Sequence, residues 1–124
     1  MSTRKLPTIR RRGTFAPVTR SLAAFAAWSA YSEWVRVSKL QEEGALGDRM
    51  VSSARLATAD ALALYQAGRF DAAVNRSVES LEYSVGMGHD SWITVMQVRA
   101  NGEEVDLSWA GDWLPKALSR VSGD

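Results

Sequence analysis

The chain has 124 residues, 46% hydrophobic and 23% charged, a balance that suits one folded domain and excludes a chain disordered throughout. Fifteen basic and fourteen acidic residues leave a net charge of +1, and the absence of cysteine excludes disulfides and thiolate–metal sites. No apolar run reaches the ~18–20 residues a helix needs to span a bilayer.

Charge is unevenly placed. Arg4, Lys5, Arg10, Arg11, Arg12 and Arg20 lie in the first twenty residues, and the first acid is Glu33. Residues 21–124 hold nine bases and fourteen acids, so a basic arm is joined to a mildly acidic body. Pro7, Gly13 and Pro17 interrupt helix formation, and residues 1–16 read as an extended arm. The same acid-free start, followed by Ser21-Leu22-Ala23-Ala24-Phe25-Ala26-Ala27, resembles an organellar transit peptide or a weak secretory signal.

Thr14 to Pro17 reads as a helix entrance, and the Ala-rich stretch to Glu43 as the first helix. Trp28, Tyr31 and Val35 share one face, while Leu22 and Phe25 fall on a neighbouring one, which predicts contact on more than one side. Asp48 caps a second predicted helix, 48–67, with Val51, Ala54, Ala61, Leu62 and Tyr65 inward. Gly68 is its stop, and Asp71 caps a third helix, 72–85, with Val74, Val78, Leu81 and Val85 as its apolar stripe.

The period then shifts towards two. Between Trp92 and Trp109 the residues sort as two strands around Asn101-Gly102, the strongest short hairpin signal. Val98 would face Val105, Met96 Leu107 and Thr94 Trp109, with Arg99 opposite Glu104 on the polar face. Residues 110–119 read as a closing helix or turn around Trp113 and Leu114. The expected fold class is α+β, mostly α: a three-helix core (residues 17–43, 48–67 and 72–85), a C-terminal β-hairpin (92–109) and an extended basic N-terminal arm.

Little in the chain suggests chemistry. His89 is the sole histidine, set in a glycine-bounded loop, and no metal site or cofactor motif is present in the sequence. Glu79 and Glu82 are spaced as an acid–base pair could be, but the solvated face of the third helix accounts for them.

Leu64 to Val74 carries a family resemblance. Gly68, Phe70 and Ala73, with Ala61 and Ser80 on either side, resemble the turn of a tetratricopeptide helical hairpin. Gly68-Arg69-Phe70-Asp71 through Val74 and Arg76 resembles the Gly-Arg-Tyr-Asp-x-Ala-Val-x-Arg pattern of HEPN (higher eukaryotes and prokaryotes nucleotide-binding) domains. Either resemblance covers about thirty residues (54–84) and implies two antiparallel helices with an aromatic wedge. A single unit is present where a tetratricopeptide array stacks several. Positions 82–84 are Glu82, Tyr83 and Ser84, so the Arg and His motif of cleaving HEPN ribonucleases is missing and the likeness implies a non-cleaving relative.

The function expected is a non-enzymatic assembly or binding subunit of a larger complex, virion-like or nucleoprotein. Its arm residues Arg4, Lys5, Arg10, Arg11, Arg12 and Arg20 would dock on nucleic-acid phosphates or an acidic partner surface. Trp28, Trp34, Trp109 and Trp113 would anchor protein interfaces, and the hairpin's outer edge could add strands from another chain, making the protein an oligomer, a homo-oligomer among the options, or a sheet-extension partner. No catalytic residue, metal or cofactor is expected. A HEPN-like nucleic-acid-processing protein is the alternative. The location expected is the cytoplasm or the interior of a large assembly, with organellar or exported targeting left open.

Overall fold

A computed structural model describes residues 18–42, 48–83, 91–102, 105, 107 and 112–122. Five helices lie among them: α1 (Arg20–Glu42), α2 (Asp48–Gln66), α3 (Phe70–Glu82), α4 (Ser91–Asn101) and α5 (Trp113–Val121). The expected arm, residues 1–16, lies outside the described residues, as do Val85 and His89.

Helix α1 begins at Arg20, later than the Thr14–Pro17 entrance, because Thr19 supplies the cap. Its Oγ1 accepts the Leu22 N–H at 3.0 Å and its carbonyl accepts that of Ala23 at 3.0 Å. The helix serves two apolar clusters. Leu22, Ala23, Ala26 and Ala30 pack with Ala73, Val74 and Leu81 of α3 and Val95 and Val98 of α4. Ala27, Trp34 and Val37 pack instead with α2 and with Ala117 and Val121 of α5. Contact on two sides matches the width of the apolar surface read from the sequence. The buried positions are mainly alanines, which let neighbouring backbones approach, whereas Trp28, Tyr31 and Val35 are half-buried.

Between α2 and α3 the chain reverses through a Schellman turn. Gly68 has φ +79°, its N–H donates to the Tyr65 carbonyl at 3.1 Å, and the Arg69 N–H donates to that of Leu64 at 2.9 Å. Arg69, not Asp71, is the residue that caps α3, and no side chain accepts from its first N–H groups. Asp71 sits in the first turn, where its charge complements the helix dipole. The rings of Tyr65 and Phe70 meet across the turn with centroids 6.0 Å apart.

Hydroxyls tie α2 to α3 inside the core. Ser80 Oγ donates to the Ala54 carbonyl at 3.1 Å, so the proton in its 2.8 Å contact with Thr58 Oγ1 comes from Thr58. Thr58→Val keeps the shape and removes that donor. The variant should lose about 1 kcal/mol, read as a lower urea midpoint at unchanged slope. An unchanged midpoint would show that the bond contributes nothing.

The β-hairpin is not formed, and the α+β expectation is corrected: the described residues contain helices and no strand. Residues 91–101 are one helix, in which Trp92, Val95 and Val98 recur every three positions and face the first cluster. Gly102, at φ +67°, follows the last helical residue, and its N–H donates to the Arg99 carbonyl at 3.3 Å. A left-handed glycine ends a helix as readily as it makes a hairpin turn, so Asn101-Gly102 suited both. The helix prevails physically because it satisfies its own backbone and buries Val95 and Val98 on α1 and α3. With the strands goes the sheet edge expected to pair with another chain.

Candidate functional site

Of the six arm cations, Arg20 alone falls among the described residues; Arg4, Lys5, Arg10, Arg11 and Arg12 lie outside them. Arg20 is exposed at the first position of α1, with its guanidinium carbon 5.8 Å from the centre of the Tyr65 ring on α2. The ring face attracts the cation and holds the flat group in place. Around this pair runs an open groove of about 470 Å³, floored by Ala24 and walled by Thr19, Ser21, Val105 and Leu107.

Ser21 fastens the far wall. Its Oγ accepts the Val105 N–H at 2.9 Å and donates to the Val105 carbonyl at 2.9 Å, joining positions 84 apart in sequence. Both polar groups of Val105 are thereby paired within a part-buried setting.

A second groove, of about 410 Å³, opens between α1 and α5 and is lined by Tyr31, Pro115, Lys116, Ser119 and Arg120. Lys116 and Arg120 are one turn apart and exposed. Among the described residues neither belongs to an ion pair. The two grooves share helix α1. Arg20 and Tyr31, eleven positions apart, return to nearly the same face of α1 about 16 Å along its axis. Tyr65, which lines the first groove, has its ring centroid 6.3 Å from that of Trp113, which opens α5.

Elsewhere two arginines are engaged by carboxylates. Glu33, 3% exposed, accepts from Arg36 Nε at 3.0 and 3.2 Å and from its Nη2 at 2.6 Å. That hydrogen bonding raises the Arg36 pKa above the ordinary guanidinium value, against the opposing effect of burial. A raised cation loses its contribution only as pH climbs past that high value, so the arginine adds no pH dependence near neutrality. Arg76 bridges α3 to α2 through Asp60 at 2.8 Å and also reaches Glu79 at 3.1 Å. Glu79 is thus engaged by a guanidinium, while Glu82 is exposed near the end of α3. Among the described residues no group of three or more His, Cys, Asp or Glu could hold a metal ion.

The tryptophans divide. Trp34 is core, 8% exposed, with its ring 6.5 Å from that of Tyr31. Trp28 is half-buried and stacks on Phe25 at 6.5 Å. Trp113 is half-buried beside Tyr65, and Trp109 lies outside the described residues. The sequence reading missed Lys116 and Arg120 as site residues, although residues 113–121 contain two bases and no acid. It also missed Tyr65 as the partner of Arg20 and Tyr31 as a lining of the second groove, which only the helix packing reveals.

No family model, curated protein or solved structure matches the chain. No helix among the described residues is long and apolar enough to cross a membrane.

Proposed function

We propose that the chain is a non-enzymatic docking module of a larger assembly, in which a helical body packs among protein neighbours and the basic segment grips a polyanion. One observation carries the reading: six cations and no acid precede residue 21, while the remainder carries an excess of acids. Guanidinium forks suit phosphates and carboxylates alike, so nucleic acid and an acidic protein surface offer the same chemistry to the arm. Support comes from Arg20, which stands exposed where that segment joins α1.

The test uses the full chain and its triple variant Arg10→Gln, Arg11→Gln, Arg12→Gln. Six phosphate contacts on mixed-sequence duplex DNA give a log–log salt slope of about −5, and three give about −3. Wild-type affinity should therefore fall about a thousandfold for a fourfold rise in salt, and less than a hundredfold in the variant. Polyglutamate in a parallel titration separates a preference for acidic protein from one for phosphate. Equal slopes for the two proteins on both polymers would remove the arm from the mechanism.

A further inference from the structure

We propose that the face shared by α1 and α5 binds single-stranded nucleic acid, extending the arm's path across the folded body. The proposal rests on the polyanion reading for the charge of its ligand, but on different residues for its site. Arg20, Tyr65, Trp113, Tyr31, Lys116 and Arg120 carry it.

Three features of this face suit a flexible strand. First, its cations are spread along a line: Arg20 at one groove, then Lys116 and Arg120 at the other. A series of spaced cations follows a phosphate backbone, whereas one small anion needs a single convergent cluster. Second, flat groups accompany the cations. The Arg20 guanidinium carbon lies 5.8 Å from the centre of the Tyr65 ring, so a cation and an aromatic group stand together at the first groove. Tyr31 is half-buried, with Trp34 packed on it from the core, and the same side chain lines the Lys116 groove. Third, the ring of Tyr65 in the first groove meets that of Trp113, the first residue of α5, and the separation of Arg20 from Tyr31 along α1, about 16 Å, gives room for a few nucleotides.

The chemistry favours a single strand over the alternatives. A duplex keeps its bases stacked inside and would use the cations alone, leaving the rings idle. An acidic peptide would satisfy the cations but has no π-faces to place against Tyr31 and Tyr65. Asp112 is exposed one position before Trp113, so phosphates must pass on the Lys116–Arg120 side of α5.

Fluorescence anisotropy of the full-length protein tests the proposal, with labelled oligo(dT), an abasic phosphodiester strand of equal length, and polyglutamate as competitor. Oligo(dT) should bind about tenfold or more tighter than the abasic strand, since stacking on a protein ring contributes about five- to 150-fold per base. The variant Lys116→Gln/Arg120→Gln, altered at two exposed positions, should weaken oligo(dT) binding about tenfold. It should also flatten the salt slope by about 1.4, the share of two contacts on a single strand. Unchanged affinity and slope in this variant would overturn the proposal, and so would equal binding of the abasic strand or equal competition by polyglutamate. The arm is judged separately, because the Arg10, Arg11 and Arg12 variant retains the α1/α5 face intact. Loss of binding there alone supports the arm and sinks the face; loss in the α5 variant alone does the reverse.

Discussion

Trp34→Ala should destabilise the fold by about 4 kcal/mol, whereas Trp34→Phe should cost far less than the difference in ring size suggests. Trp34 is 8% exposed and packs with Ala27, Val37, Val51, Ala54, Leu62, Ala117 and Val121, so truncation opens a cavity walled by α2, α5 and the neighbouring turns of α1. The Phe variant tells more. The Trp34 Nε1 atom is buried and makes no hydrogen bond in this structure, which charges the indole with an uncompensated desolvation penalty. Phenylalanine discards that penalty along with part of the packing. Denaturant midpoints of the two variants measure both effects. Were Trp34 instead an anchor for another protein, Trp34→Ala would leave the isolated chain's midpoint in place.

Leu81→Ala follows, with an expected loss of about 3 kcal/mol, the lower part of the range for buried leucines. Leu81 is 1% exposed on α3 among Leu22, Ala26, Ala30, Val95 and Val98. Alanines have no further rotamers with which to fill a void, and the Schellman turn at Gly68 restrains how far α3 can move inward. For a domain of this size the melting temperature should drop by about 10–20 °C. A shift of only a degree or two would mean that the site collapses freely or that Leu81 is not enclosed as described.

The helical core was readable because its signals are local and mutually consistent. Gly68 must be left-handed to stop α2, and the apolar positions of 48–82 recur at helical spacing on both sides of it. Residues 91–102 defeated the same method. Trp92, Thr94, Met96 and Val98 alternate as a strand does, yet Trp92, Val95 and Val98 form an equally good helical face. Deciding between them depends on what α1 and α3 present to that segment, and no local window contains this. The cap of α3 was misplaced for a related reason: the turn ends at Arg69, whose N–H donates to the Leu64 carbonyl, so the helix starts at Phe70, two residues before the expected 72, and has no side-chain cap. On the functional side, charge segregation is written in the order of residues and was visible. The assembly of Arg20, Tyr65 and Trp113 joins α1, α2 and α5 and had no trace in the linear order.

The clasp between Ser21 and Val105 has a mechanical consequence. It lies one residue inside the point where the basic segment enters α1, and it fastens that entry to a stretch that follows α4. Tension arriving along the N-terminal chain is therefore shared between opposite ends of the sequence before it can unwind the first turn. A tether anchored this way passes a tug to the segment after α4 as well as to the first turn of α1.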